Sequence, residues 1–240
     1  MARAKSKPKG IGRKVAPAKK VVPVKPAAPT YTREELIEQM RELLDGADAI
    51  LATAGHSVTW GYPTGALTEA RERCNLLFNQ MARLPAVEDA EGEYESPQEI
   101  FEKALHAEPG TVPSLARPGT FIEWIGYIPV LVEWGGFLKR SADLRCVDPK
   151  LKWISATGYR STHVAYVDGG SNPSAIVRGI LTSAMAQKEF TLHDVEKWGT
   201  QAANEALAAN EWLRNALAKG PVDSLPLPRK YFAVQRPLFA

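Results

Sequence analysis

Residues 151–187 read LKWISATGYRSTHVAYVDGGSNPSAIVRGILTSAMAQ, and this stretch decides the fold class. It predicts a strand at 153–156, a turn, a second strand at 163–167, a glycine turn and a helix. Residues 163–167 are rich in β-branched and aromatic side chains, which favour a strand. Asn172 suits the N-cap and Pro173 the first helical position. Apolar residues at spacings of one, three and four over 176–185 give the helix one apolar face, so the stretch mixes strand and helix.

The same stretch contains a predicted anion site. A helix that starts after Gly-Gly-Ser presents free backbone N–H groups and a partial positive charge to a phosphate or carboxylate. An arginine one strand upstream can grip the same anion with two hydrogen bonds. The residues of this predicted site are Arg160, Gly169, Gly170, Ser171 and Asn172. The alternative is an ordinary strand-turn-helix connection whose glycines serve only the turn.

An enzyme acting on a phosphate- or carboxylate-bearing substrate is one hypothesis for this site. Asn172 and the preceding glycines would hold the anion, Arg160 would clamp its charge, and His163 would act as acid or base near neutral pH. Arg160 and His163 are three residues apart, so a regular strand would point them to opposite faces. The enzyme hypothesis therefore requires Arg160 to lie in the turn before the strand.

The charges of the chain are divided unevenly between tail and body. The 240 residues include 30 Lys and Arg and 27 Asp and Glu. Residues 1–30 hold nine of the cations and no acid, so the other 210 residues carry a net charge of −6. The cations of the tail are Arg3, Lys5, Lys7, Lys9, Arg13, Lys14, Lys19, Lys20 and Lys25.

The first 30 residues predict a disordered basic tail, because lysine, proline and alanine cannot build a core. Their composition resembles the Lys/Ala/Pro tails of linker-histone-like proteins. Such a tail binds DNA or RNA without sequence preference by neutralising phosphates. The alternative is a tail that only aids solubility and has no partner.

The patterns of cysteine, histidine and hydropathy argue against a disulfide-rich, metal-binding, membrane-spanning or secreted protein. Cys74 and Cys146 form neither a disulfide framework nor a zinc pattern, which favours a reducing compartment and a cytoplasmic location. The four histidines lack ligand spacing, so we expect no metal and no cofactor. No run approaches the roughly 20 apolar residues of a spanning helix, and the basic N-terminus lacks the apolar stretch of a secretory signal.

Three helices are predicted before the sheet. The first covers 31–54 and starts at a capping box of Thr32 and Glu35. The second covers about 65–84, and the short link between the two predicts an antiparallel hairpin. After an acidic, loop-like stretch at 87–95, a second capping box opens a short helix that runs to about residue 107.

Residues 120–134 (TFIEWIGYIPVLVEW) predict buried strand that is broken near Gly126 and Pro129, as two short strands or one bent strand. Residues 137–147 fit a strand or a short helix. Glu123 and Glu133 stand among these apolar residues. A buried carboxylate there would be a candidate general acid. The commoner arrangement, which we adopt, points both side chains to solvent.

The chain then predicts its longest helix over 191–219, ended by Gly220 and Pro221. Residues 221–240 contain four prolines and should be extended. Their apolar side chains should dock on the body or on a protein partner. These side chains are Tyr231, Phe232, Leu238 and Phe239.

We therefore expect an α+β fold with a helical hairpin and a long C-terminal helix packed on a small, mainly antiparallel sheet. A single domain would span 31–220, with a helical part at 31–107 and a sheet-containing part at 119–187. The functional prediction is a nucleic-acid-associated accessory protein without catalysis. The alternatives are the enzyme described above and a protein–protein assembly module.

Overall fold

The protein has an α+β fold in which helices pack on a small antiparallel sheet of four strands. The predicted fold class is confirmed. The computed structural model describes residues 31–53, 58–59, 65–88, 92–147, 158–164, 166–167, 171–186 and 210–226. The basic tail at 1–30, the predicted strand at 153–156 and most of the predicted tail at 221–240 lie outside these residues.

The first two helices, α1 (Arg33–Thr53) and α2 (Gly65–Met81), form the predicted hairpin. α1 begins at its capping box, where the Glu35 amide donates to Thr32 Oγ1 at 3.2 Å and the Thr32 amide donates to Glu35 Oε2 at 2.7 Å. Arg33 Nη2, at the start of α1, donates to the Pro85 carbonyl just beyond α2 at 3.0 Å, so the helices are antiparallel. Their buried faces hold Leu36, Met40, Leu44, Ala47, Leu51, Leu67, Ala70, Cys74, Leu77 and Met81.

The third helix, α3 (Pro97–Leu105), also begins at its predicted capping box. The Glu99 amide donates to Ser96 Oγ at 3.2 Å, and the Ser96 amide donates to Glu99 Oε2 at 2.8 Å. Three short strands precede it in the chain. The two-residue β1 (Val58–Thr59) falls in the predicted loop after α1, and β2 (Val87–Glu88) pairs with β3 (Tyr94–Glu95) as an antiparallel hairpin. The prediction of a plain acidic loop at 87–95 is therefore wrong at its two ends.

The sheet is a meander of β4 (Gly119–Ile125), β5 (Ile128–Trp134), β6 (Ser141–Cys146) and β7 (Tyr159–His163), each antiparallel to the next. The strands β4 and β5 meet at a two-residue turn whose first residue, Gly126, has a φ of 57°. Two strands rather than one bent strand thus form at 120–134. One turn of helix, α4 (Gly136–Lys139), precedes β6, so residues 137–147 contain both of the expected alternatives.

The predicted break near Pro129 is wrong, because Pro129 lies inside β5 opposite Trp124. Ile125 and Ile128 flank the turn and are the hydrogen-bonded pair of a two-residue hairpin. The next pair is therefore a non-hydrogen-bonded one, in which the nitrogen of Pro129 points away from β4. A proline at that position removes no bond from the ladder with β4.

The sheet has a core on each face. The inner face is the one that joins α1, α2, α3 and α5 (Pro173–Ala186) in the main core, and it carries Phe121, Val132 and Leu144. The outer face carries Trp124 and Val147, on which the last helix, α6 (Glu211–Lys219), packs Leu213 and Leu217. Helices thus cover both faces at the β4 side of the sheet.

Two predicted elements are divided in the structure. The expected strand at 163–167 splits, because the Val164 amide donates to the Arg140 carbonyl at 2.9 Å and the chain then forms β8 (Tyr166–Val167) against β1. The expected helix at 191–219 does not run through Asn210, whose backbone is extended at φ −113° and ψ 98°. Asparagine competes with helical hydrogen bonds and favours the N-cap, where α6 starts. The part at 191–209 lies outside the described residues.

The segment after α6 docks on the edge of the sheet. Gly220 ends α6 with a φ of 70°, as predicted. The Leu225 amide donates to the Trp124 carbonyl at 2.8 Å, and the Gly126 amide donates to the Leu225 carbonyl at 2.7 Å. The beginning of the predicted extended tail therefore runs parallel to β4 and contacts the body.

Candidate functional site

The predicted anion site is described only at its helical end. α5 begins at Pro173, and the Ala175 amide donates to Asn172 Oδ1 at 2.8 Å, so Asn172 is the N-cap that the sequence predicts. Ser171 lies half-buried just before this cap. Gly169 and Gly170 lie outside the described residues. The prediction that Asn172 caps the helix is thus confirmed, and the binding of an anion at this helix start stays a prediction.

The structure does not bring Arg160 and His163 into one pocket. Both lie in β7, where Arg160 stands opposite Leu144 and His163 opposite Ser141. Because side chains alternate along a strand, Arg160 shares the inner face with Leu144 while the exposed His163 points to the outer face. The enzyme hypothesis required Arg160 to lie in the turn before the strand, and that requirement is not met.

The nine tail cations that the sequence predicts to bind nucleic acid fall at 3–25, outside the described residues. Their placement therefore neither supports nor opposes the prediction. Within the described parts of the chain, no three His, Cys, Asp or Glu side chains lie close enough together to hold a metal ion. No helix among the described residues is both long and apolar enough to cross a membrane.

Three charged side chains meet at Arg178 of α5. Its Nε donates to Glu123 Oε2 at 2.8 Å, and its Nη1 donates to Asp223 Oδ2 at 2.6 Å. Only 3% of the Glu123 side chain is exposed, against 26% of Arg178 and 74% of Asp223. The hydrogen bond with Glu123 is the main cause that raises the pKa of Arg178, so the guanidinium stays charged.

The expectation that Glu123 points to solvent is therefore wrong. Glu123 shares the inner face of β4 with Phe121 and Ile125, and a charge from α5 compensates it there. Glu133 does follow the expectation, since 43% of its side chain is exposed and it pairs with Arg145 at 3.4 Å. The sequence signal for the buried pair is a lone arginine beside Val177 on the buried side of α5.

A groove of about 290 Å³ opens beside this ion pair, along the edge of β4. Its walls come from β4, α5, α6, the loop at 110–112 and the segment at 222–223. Trp124 and Trp212 supply apolar surface, while Glu123, Arg178 and Lys219 supply charge. Glu123 and Arg178 are already paired with each other, which suits this side of the groove to a neutral extended group better than to an ion.

A second groove of about 330 Å³ lies along the contact between α1 and α2. Two large apolar side chains are open to solvent there, Leu76 with 62% and Tyr31 with 43% of its surface exposed. Leu43 adds a third apolar side chain, and Glu42 and Arg73 add one charge of each sign. Exposed apolar surface of this kind is typical of protein contacts.

Comparisons with known proteins give two partial relatives. Two proteins of Escherichia coli, both named Protein KlcB, match the chain with 36% identity over 94 residues and 29% identity over 98 residues. These stretches cover 38% and 39% of this chain but only 23% and 21% of the relatives. No protein-family model matches the chain, and no solved structure matches it. The chain is thus similar to part of Protein KlcB, over less than a quarter of the length of that protein.

Proposed function

We propose that the protein is a nucleic-acid-associated accessory protein of the cytoplasm. Residues 1–30 bind DNA or RNA without sequence preference, and the body serves protein contacts. The observation that carries this proposal is the charge split, with nine cations and no acid in the tail against a net charge of −6 in the rest. A polyanion is attracted to the tail and repelled by the body, so the two parts favour different partners.

The groove between α1 and α2 supports the second half of the proposal. Leu76 of α2 and Tyr31, which lies just before α1, expose apolar surface in one groove beside the buried interface of the two helices. Exposed apolar side chains that share one groove favour a contact with a protein partner. The apolar tail at 221–240 is the other predicted contact for a protein partner, and only its first six residues are described.

The test compares the full chain with a variant of equal length in which all nine tail cations are glutamine. Binding of duplex DNA and of RNA is measured by anisotropy across a salt series. We expect the wild-type chain to bind with a steep loss of affinity as salt rises, and the variant to lose binding at every salt concentration. A matched control neutralises exposed cations of the body instead, at Arg73, Arg83 and Lys219, and should bind like the wild type.

Two outcomes would contradict the proposal. Equal binding by the wild type and the tail variant would assign nucleic-acid recognition to the body. Absence of binding by the wild type at low salt would remove nucleic acid as a partner and leave protein assembly as the function.

A further inference from the structure

The outer edge of β4 has a regular pattern of backbone groups. The Gly110 amide donates to the Thr120 carbonyl at 2.8 Å, and the Leu225 amide donates to the Trp124 carbonyl at 2.8 Å. Both acceptors are even-numbered residues whose backbone groups point away from β5. Because this direction alternates along a strand, the amide and the carbonyl of Ile122 point to the same side.

Ile122 is a gap in an otherwise covered edge. Loop residue Gly110 covers one side of it and Leu225 covers the other, but no described residue hydrogen-bonds to the outward amide or carbonyl of Ile122. Ile122 and Val222 both line the groove of about 290 Å³. An unpaired donor and acceptor at the base of a groove form a template for one more strand.

The two sides of this groove differ in polarity. On the outer-face side, Trp124 and Trp212 form an apolar wall. On the inner-face side, Glu123, Arg178 and Ser174 form a polar wall. A strand lying beside Ile122 would therefore need apolar side chains on one face and polar or small side chains on the other.

We propose that the segment 231–235 (YFAVQ) of the same chain enters this groove in an extended conformation, where one of its residues pairs with the outward backbone groups of Ile122. The alternation of its side chains fits the two walls. Phe232 and Val234 face the tryptophans, whereas Tyr231 and Gln235 place a hydroxyl and an amide toward the polar wall, with the small Ala233 between them. Aromatic and β-branched residues also favour an extended backbone on a half-buried surface.

The chain is long enough to reach the groove. Leu225 already lies beside Ile125, and the gap at Ile122 is three residues, or about 10 Å, back along the strand. Residues 226–230 span up to about 16 Å when extended. An occupant tethered this closely has a high effective concentration, which favours it over a separate peptide of similar sequence.

Hydrogen exchange of the Ile122 amide, measured by NMR on the full-length chain, tests the proposal. We expect exchange in the wild type to be at least about 100-fold slower than in a Phe232→Ser/Val234→Ser variant. The matched control is Leu238→Ser/Phe239→Ser, which removes equally apolar side chains a few residues further on and should leave the Ile122 amide unchanged. The Val130 amide in β5 should stay protected in all three chains, which shows that each is folded.

Three results would overturn the proposal. Fast exchange of the Ile122 amide in the wild type would leave the groove without this strand. Equal protection in the wild type and in the Phe232→Ser/Val234→Ser variant would mean that another group covers Ile122. Protection that increases with protein concentration would assign the groove to a second copy of the chain.

Discussion

At the scale of single residues, Arg178 is the side chain that links α5 to β4 and to the segment after α6. It pairs with a carboxylate that is 3% exposed and with Asp223 of the segment after α6. Removing one partner of a buried ion pair is costly because the other charge stays in a medium of low polarity. An ion pair in solvent gains little, since water already stabilises both charges.

We predict that Arg178→Gln lowers the free energy of unfolding by about 3 kcal/mol, because Glu123 is left buried without its cation. Urea denaturation followed by circular dichroism measures this loss. The control is Arg145→Gln, whose pair with the 43% exposed Glu133 should be worth less than about 1 kcal/mol. Equal losses in the two variants would show that burial of Glu123 is not the cause.

Cys74 and Cys146 should differ in reactivity. Cys74 is fully buried in α2, and burial raises the pKa of its thiol to about 11, whereas Cys146 is half-buried at the end of β6. At pH 8 only about one Cys74 thiol in a thousand would be ionised, and the thiolate is the reactive form. We predict that a thiol reagent modifies only Cys146 in the folded protein and both cysteines in urea. Modification of Cys74 and Cys146 at equal rates in the folded protein would contradict this prediction.

The raised pKa of Cys74 also makes stability depend on alkaline pH. The thiol loses its proton near pH 9.0 in the unfolded chain and only near pH 11 in the folded protein. Its contribution is therefore complete below pH 9.0 and is lost as pH rises through that interval. We expect Cys74→Ala to have a flatter stability curve over this range, as measured by urea denaturation at each pH, with Cys146→Ala as the control.

At the scale of elements, Gly136 and Gly179 differ in whether the backbone requires glycine. Gly136, which opens α4, has a φ of 62°, and a Cβ placed there would lie 2.5 Å from the Ala116 carbonyl oxygen. Gly179 lies inside α5, and a Cβ there would meet nothing within 4 Å. The first glycine is required by the turn before α4, whereas the second only weakens a helix.

We therefore predict that Gly136→Ala destabilises the protein by more than about 2 kcal/mol through strain and contact with the chain at 116–118. Gly179→Ala should stabilise it by about 1 kcal/mol, since alanine is the better helix former. Thermal unfolding of both variants decides the matter. A similar change in stability in the two variants would show that the positive φ of Gly136 does not require glycine.

The elements that the sequence predicted well are those that carry local signals. Both capping boxes and the Asn172 cap are made within four residues of chain, so their residues suffice to place the helix starts. Pro129 and Glu123 were misjudged because their surroundings come from distant parts of the chain. Pro129 depends on its register against β4, and Glu123 on an arginine 55 residues away.

The start of α6 at Asn210 had a local signal, an asparagine followed by an acid, but alanines on both sides favoured a continuous helix.

The candidate sites depend on distant parts of the chain. The faces of Arg160 and His163 depended on where β7 starts, which only its pairing with β6 determines. The groove beside β4 joins five segments of chain and had no sequence signal at all.

At the scale of the whole molecule, the charge split limits how the protein can bind a polyanion. Each neutralised phosphate contributes about −0.9 to the slope of log affinity against log salt for duplex DNA. Nine tail cations therefore limit the slope to about −8 if the body takes no part. We predict a slope no steeper than this from the salt series. A steeper slope would show that cations of the body also contact the nucleic acid.

The pairing of Leu225 with β4 also affects how the chain matures during synthesis. Leu225 follows Ile125, its partner across the bridge, by 100 residues. At about 5–20 residues per second, a ribosome needs roughly 5–20 seconds to add that much chain. During this interval the outer edge of β4 lacks the Leu225 segment and can pair with other chains. Crowded polysomes are therefore where we expect this protein to aggregate, and a chaperone that shields strand edges would help most before release.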